Sequence, residues 1–508
     1  MSTPKVSMKD IVVILPGIMG SVLQKDGKDL WNVSGRIVSR ALNPFGSGLQ
    51  DLKLVGDDPN GGDIEDGIKP TRLITDTYLV PEFSGFGRLV DGYNRLSAQI
   101  TENFTDIVEG NIYDDPDEKA ANFYHFPYDW RRDNRANANI LKRLLDKRLY
   151  RWREVSGNEN AKVILLAHSM GGLVSRYYLE VLGGWQNCKA LFTFGTPYRG
   201  SVNALNTFAN GMKKGGFDIG AYLGLDEVIP TLTGAYQLLP RYRALQVGDE
   251  YYRISQSPEA IPGIDLEKAA AALAFHNEID DAADANQENV AYRSSFVTCP
   301  VVGVLQPTNQ SAKLENGVVS ISTELPAWLS DRAHLADGDG TVPQVSATPV
   351  QMNDIEALAI VDYIAEGHGA IQNQPTVLLN LLKGIQSTQT ASTVDVRGAV
   401  KGVSRGIRSG IKGIGLAIED LFLAKEPISL RAKVAGATAF NALTAEIKCV
   451  SEARSVITQT LTNENGAWSM AMEPLATGLY EITVKTDNPG EDAPNPVHSL
   501  FSVTDLGE

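Results

Sequence analysis

The chain has 508 residues, and 46 Lys+Arg against 61 Asp+Glu give a net charge of −15. That length predicts roughly two to three domains, and 43% hydrophobic with 21% charged residues is a globular rather than a disordered composition. The acidic balance argues against a nucleic-acid binder, which needs surplus cations to displace phosphate counterions, and no run of roughly 18 apolar residues offers a spanning helix. Cys188, Cys299 and Cys449 stand too far apart in sequence for a disulfide framework or a CxxC metal site. Six histidines include no HExxH pair, so neither a metal nor another cofactor is expected. Met1 to Asp10 carries Lys5, Lys9 and Asp10 before a short apolar run. That reads as no signal peptide and points to the cytoplasm.

Ile11 to Leu15 is a continuous β-branched run stopped by Pro16-Gly17, which predicts a strand buried on both faces of a parallel sheet. Asn122 to Phe126 reads as a second strand and Ala138 to Arg153 as a helix. Lys162 to Ala167 is a third apolar strand, breaking sharply into a helix over Met170 to Leu182. Lys189 to Phe194 is a strand again, ended by Gly195-Thr196-Pro197. Strands alternating with helices in this way predict a doubly wound α/β sheet. From about 200 to 293 the rhythm loosens around Gly-rich turns and an Ala-rich helix, Leu266 to His276, as an inserted cap would. Strands are expected again at Phe296 to Leu305 and Val318 to Ser322, and a closing helix at Ile371 to Leu382. A linker is expected over 385–424. Short alternating segments from 425 to 508 predict a β-sandwich, with the Ig-like form favoured.

Ala167-His168-Ser169-Met170-Gly171-Gly172 falls at a strand-to-helix junction, with small residues two positions either side of Ser169. That is what a nucleophile elbow requires, because its serine sits in a strained turn with no room for larger neighbours. A serine hydroxyl needs a base. His168 adjoins the elbow and is expected to pack beside it. His125 and His276 lie in a strand and a helix, and His498 in the C-terminal part. His368 stands in a flexible loop before the closing helix and is the favoured base, with His334 a second contender. The acid comes from Asp337-Gly338-Asp339-Gly340, which lacks the Gly and Glu positions of an EF-hand. Asp339 is favoured, with Asp337 the alternate. Oxyanion donors are expected from the Met170 amide and from the Ile18 amide in Pro16-Gly17-Ile18-Met19-Gly20. The order Ser169, Asp339, His368 is the chain order of α/β-hydrolases.

Pro16 to Leu23, Tyr128-Asp129-Trp130-Arg131, His168 to Gly172, Gly195-Thr196-Pro197, Gly338 to Pro343 and the His368 loop follow one another in that order. As a set they resemble the lecithin–cholesterol acyltransferase-like family of α/β-hydrolases, over roughly residues 8 to 384. The resemblance implies Ser169 as nucleophile, Asp339 as acid, His368 as base, and Ile18 and Met170 as oxyanion donors. It implies a lipid acyl donor and either water or an alcohol as acceptor. Tyr128 to Arg131 are expected to brace a strand end. Animal members hold a membrane-binding loop with a disulfide, whereas Trp31 to Asp58 here contains no cysteine.

Val394 to Ile418 sets Arg397, Lys401, Arg405, Arg408 and Lys412 on one helical side, isoleucines and valines on a second, and glycines on a third. This predicts a basic amphipathic helix, suited either to peripheral contact with an anionic membrane or to close packing against the hydrolase domain through its glycine face. The leading expectation is therefore a serine-dependent lipid acyltransferase or phospholipase. A peptidase on the same fold and a scaffold that binds through its C-terminal part are the alternatives.

Overall fold

The computed structural model describes the chain apart from residues 1–4, 33–48, 75–89, 91, 115–118, 215–216, 219, 222–223, 353–359, 391–411, 437–439, 451–455, 488–492 and 506–508. The first apolar run is a strand, β1 (Ile11–Leu15), buried throughout. Its residues feed two separate cores in alternation: Ile11, Val13 and Leu15 enter one, Val12 and Ile14 the other. A strand with both faces covered must be apolar at every position, which is why β1 reads as an unbroken run. Each such side chain withdrawn from water contributes about 1.5–3 kcal/mol.

Helix α1 (Asn94–Asn103) follows, then β2 (Glu109–Asn111) and β3 (Phe123–His125). Helix α2 (Asn134–Ser156) is capped at one end by the Asp133 carboxylate and closed at the other by Gly157 at φ 66°. Next come β4 (Val163–His168), α3 (Gly171–Glu180) and β5 (Cys188–Phe194). Helix α4 (Leu266–Gln287) precedes β6 (Val297–Gly303), β7 (Asp362–Ile364) and α5 (Pro375–Thr390). The strands form one seven-stranded sheet in the order β7-β6-β5-β4-β1-β3-β2, parallel at every pairing. Leu141, Leu145, Leu173 and Phe275, from α2, α3 and α4, cover one face. Leu96, Ile100, Val377 and Leu381, from α1 and α5, cover the other. The doubly wound α/β expectation holds at this level.

Between β5 and β6 the chain leaves the sheet. Helix α4 reaches Gln287, well beyond the expected His276, and is tied back to α2 and α3. Arg135 forks both Glu278 oxygens at 3.0 and 2.7 Å, and the Tyr177 hydroxyl donates to the same carboxylate at 3.0 Å. Val318–Ser322 does not join the main sheet. It pairs with Ser311–Glu315 in a four-stranded sheet completed by Leu245–Val247 and Glu250–Tyr252. Apolar alternation identifies a strand without saying which sheet it enters; these two strands follow β6, and Ser311–Glu315 pairs with Leu245–Val247 of the earlier excursion.

Two expectations after residue 384 need correction. Residues 385–390 are helical, not linker, because α5 continues to Thr390. Its last polar groups are used: Gln389 donates to Asp10 at 2.8 Å and the Thr388 carbonyl accepts from Lys189 at 3.3 Å. The expected basic helix over 394–418 lies mostly outside the described residues. Its end, Gly413–Ile418, is a strand (β8), with Ile414 and Leu416 buried. Strand β9 (Leu421–Leu423) follows, so sheet structure begins before residue 425. The remaining strands are β10 (Ile428–Ala435), β11 (Leu443–Cys449), β12 (Val456–Thr460), β13 (Thr462–Glu464), β14 (Ala467–Met472), β15 (Gly478–Thr486) and β16 (Val497–Thr504). They form sheets of order β8-β10-β14-β13 and β9-β16-β15-β11-β12. Both contribute to a single core containing Leu416, Ile447, Trp468, Ile482 and Phe501.

Candidate active site

The site is built where β1, β4, β5 and β6 end, at the carboxyl edge of the parallel sheet. That is where ligands of open α/β sheets bind. Ser169 occupies the turn between β4 and α3 with φ 50°, a left-handed conformation rare for a side-chain-bearing residue. The turn is fixed by Ser169 N–H donating to Phe194 O at 2.9 Å, and by the Thr196 hydroxyl donating to Ser169 O at 3.0 Å. Its glycines are steric requirements. A Cβ on Gly171 would stand 2.5 Å from Pro16 O, and one on Gly172 would stand 2.1 Å from Thr196 Oγ1.

Ser169, Asp339 and His368 come together although 199 residues separate the first from the last. His368 Nε2 lies 3.0 Å from Ser169 Oγ, and His368 Nδ1 lies 2.7 Å from Asp339 Oδ2. All three are buried. A carboxylate only accepts, so Nδ1 carries a proton toward Asp339 and Nε2 is left to accept from Ser169. The other oxygen of Asp339 accepts from the amides of Thr341 and Val342, at 2.9 and 2.6 Å. The His368 amide donates to the Asp339 carbonyl at 2.9 Å, fastening the two loops together. Asp339, rather than Asp337, therefore faces the imidazole. Asp337 is half-buried, its carboxyl raised by that burial, and its backbone oxygen accepts from Gln310 and Gln344. His334 is exposed and outside the cluster.

Gly195 explains the Gly-Thr-Pro segment. It has φ 57°, and a Cβ there would sit 2.7 Å from Asp339 Oδ2 and 2.9 Å from His368 Nδ1. The loop after β1 closes on the elbow in the same way. A Cβ on Gly17 would stand 2.9 Å from Ser169 Cβ. Tyr128 donates to Pro16 O at 2.9 Å and Trp130 to Ser21 O at 3.2 Å, while Arg131 is held by Asp129 and Asp66. This segment braces the loop, as its position after β3 implied. Met19 takes φ 63°; Met170 directly follows Ser169 at the start of α3, and Ile18 follows Gly17 in the loop that closes on the turn.

One residue of the site, Tyr93, carried no sequence signal. Tyr93 accepts from the Gly17 amide at 2.9 Å and meets His168 Nδ1 at 3.0 Å. His168 Nε2 lies 3.0 Å from the His368 carbonyl. That carbonyl only accepts, so Nε2 is protonated. Burial, then the neighbouring His368, lowers His168 to about 3, so its ring is neutral and Nδ1 accepts from Tyr93. His168 thus packs beside the elbow as expected, and also links the Gly17 loop to the His368 loop. His276 is likewise lowered to about 3 by burial and bonds Gln237 O far along the chain. Among the described residues, no group of three or more His, Cys, Asp or Glu side chains gathers as a metal site.

A fold and site of this kind define an α/β protein with a buried Ser-His-Asp constellation, and sequence comparison agrees with the motifs. Residues 96–280 match the family model described as Lecithin:cholesterol acyltransferase, so the chain is similar to that family over this stretch. The match takes in Ser169 and stops short of Asp339 and His368. No curated protein matches. Among solved structures, the CARDB domain of a Pyrococcus furiosus protein in complex with di-metal ions is 13% identical, covering 18% of this chain and 87% of that one, at a TM-score of 0.14.

Proposed function

We propose that the protein is a serine-dependent lipid O-acyltransferase or (phospho)lipase of α/β-hydrolase fold, working through an acyl-enzyme on ester-linked fatty acyl chains. The observation that carries this reading is the hydrogen-bonded series Ser169–His368–Asp339, at 3.0 and 2.7 Å, on a strained turn. Similarity over residues 96–280 to a family named for a lipid acyltransferase supports the substrate class.

In this mechanism Ser169 Oγ bonds to the ester carbonyl carbon as its proton passes to His368 Nε2. The carbonyl electron pair moves onto oxygen, and the Ile18 and Met170 amides donate to the resulting anion. Loss of one such donor ordinarily costs about 10²–10³ in rate. Asp339 keeps Nδ1–H directed away from the serine and stabilises the imidazolium. Collapse of the tetrahedral species breaks the ester C–O bond, and the departing alkoxide takes the proton from Nε2. Water or a lipid hydroxyl then attacks the acyl carbon as its proton passes to Nε2, and collapse of this second tetrahedral species breaks the acyl–Oγ bond as the Nε2 proton returns to Ser169 Oγ.

Within the same proposal, the excursion between β5 and β6 bounds the acyl and acceptor pockets, and the two C-terminal sheets form an Ig-like sandwich. The proposed setting is the cytoplasm, with peripheral contact to anionic membranes through cations such as Arg397, Lys401, Arg405 and Arg408. No helix among the described residues is long and apolar enough to cross a membrane. A deletion testing that contact must spare β8, whose Ile414 and Leu416 are core residues.

The test of the activity is lipid mass spectrometry on mixed phospholipid vesicles containing a long-chain alcohol or sterol, with wild type and Ser169→Ala. Free fatty acid from wild type alone identifies a phospholipase, and acylated alcohol from wild type alone identifies a transferase. The variant is expected to retain no more than about 10⁻⁴ of the wild-type rate. Equal product from both proteins would remove Ser169 from the mechanism.

A further inference from the structure

We propose that the two β-sheets of residues 413–504 are a working part of the active site, positioning the loops of Asp339 and His368 through the buried side chains of Gln306 and Glu366. This rests on the acyl-transfer reading, in which those loops carry the acid and the base.

Glu366 lies two residues before His368 and has no exposed surface. Its Oε1 accepts from the Gly367 amide at 3.0 Å and from the His498 amide of β16 at 3.0 Å, and Oε2 lies 3.1 Å from His498 Nδ1. A buried carboxylate is costly unless it is paired and hydrogen-bonded, and here two of the three donors come from the C-terminal sheets. Burial alone would lower His498, but the hydrogen bond and charge of Glu366 outweigh it and hold the imidazole above its usual value.

Gln306 makes the second tie. Its backbone exchanges hydrogen bonds with Gly338, the residue before Asp339, at 3.0 and 3.2 Å. Its side chain reaches the other way, accepting from Leu416 N at 2.8 Å and donating to Ile414 O at 3.1 Å. Strand β8 is an edge strand, so one glutamine amide satisfies backbone groups that the sheet leaves unpaired. The approach is close at backbone level. A Cβ on Gly413 would stand 2.2 Å from Ala365 Cβ, and one on Gly415 would stand 2.4 Å from Leu305 O. Both contacted residues adjoin a tie, Ala365 beside Glu366 and Leu305 beside Gln306. The loops also meet each other at Gly303, where a Cβ would lie 2.3 Å from Asp339 Cβ and 3.0 Å from Glu366 O. Both loops are therefore held from behind by the same pair of sheets.

Gln306, Glu366 and His498 are positioning residues, so their loss should act on turnover rather than on substrate capture. The experiment uses the full chain as wild type, His498→Ala, His498→Asn and Gln306→Met. It measures kcat and KM on a short 4-nitrophenyl ester, the rate of Ser169 labelling by a fluorophosphonate, and thermal melting. His498→Ala and Gln306→Met should lower kcat roughly tenfold or more, with KM within about twofold and labelling slowed in proportion. Both variants at 498 keep the backbone amide, and His498→Asn also places Nδ2 near the position of Nδ1, so it should recover most of the loss. If either alanine-type variant fails to fold, the other and the asparagine variant still decide. Lowered melting with unchanged kcat and labelling would overturn the proposal while leaving the acyl-transfer reading intact. A wild-type Ser169 that takes no label would overturn both.

Discussion

The two ends of the seven-stranded sheet use opposite chemistry to join distant segments. At the amino end, Asp10 before β1 accepts from the Lys162 amide at 2.8 Å, from Lys189 Nζ at 2.5 Å and from Gln389 at 2.8 Å. One buried carboxylate thereby binds the starts of three strands and the last turn of α5. At the carboxyl end the joints depend on backbone shape. Met19, Ser169, Leu305 and Asp337 all have positive φ, at about 1–3 kcal/mol each, and glycines at 17, 171, 195 and 303 let main chains approach side chains. The amino end is fastened by complementary charge, with Asp106 before β2 the left-handed residue there. The carboxyl end accepts strain in exchange for placing a serine, an imidazole and a carboxylate within hydrogen-bond reach. Stability and reactivity are thus assigned to opposite edges of one sheet.

Three substitutions would break or sharpen that division. Asp10→Ala leaves the Lys189 ammonium largely buried with one carbonyl partner, so a loss of about 3–5 kcal/mol is expected. Urea unfolding reads that loss, while kcat of the folded protein should stay at the wild-type value. A matching fall in kcat would show that the ends are not separable. Gly195→Ala should do the reverse. Its methyl would intrude between Asp339 and His368, and a fall of roughly 10²-fold in kcat is expected, read as slower fluorophosphonate labelling at similar KM. Unaltered labelling would mean that the loop yields and the close approach is incidental. Tyr93→Phe is the mildest. It removes the acceptor of the Gly17 amide and the donor to His168, at about 1–3 kcal/mol. The expected kinetic effect is less than about tenfold, because Asp339 still orients His368. A larger kinetic loss than Gly195→Ala would make the Tyr93–His168 link the main support of the base loop.

What the sequence disclosed follows from how many constraints each segment obeys. The strands β1, β4 and β5 serve two cores at once, so they are mostly apolar, with Lys189 and Thr193 of β5 and His168 at the end of β4 the exceptions. The elbow must be small on both sides of Ser169, and Asp339 and His368 lie in Gly-bearing loops in the order the fold demands. Segments under fewer constraints were silent or misleading. Strand β2 is Glu-Gly-Asn at a sheet edge with no buried residue. The basic spacing from Arg397 to Lys412 masked the two-residue alternation of Gly413-Ile414-Gly415-Leu416, which sends Ile414 and Leu416 inward. Tyr93 and Gln306 act through partners far along the chain, and nothing in their neighbours announces such contacts. Glu366 stood in view beside His368, but its partner is 132 residues away.

The strand order also dictates how the protein must be assembled. Strand β1 lies between β3 and β4, so the earliest strand of this sheet takes a central place and pairs with residues 163–167. During synthesis its five apolar residues wait, uncovered, for more than a hundred residues to emerge before either edge is matched. Chains of such high contact order fold slowly and expose aggregation-prone surface on the way. His498 and Leu416 reach the loops of Asp339 and His368 only after those loops exist, so under the proposal above the placing of Ser169, His368 and Asp339 is complete only once residues 413–504 have folded against them.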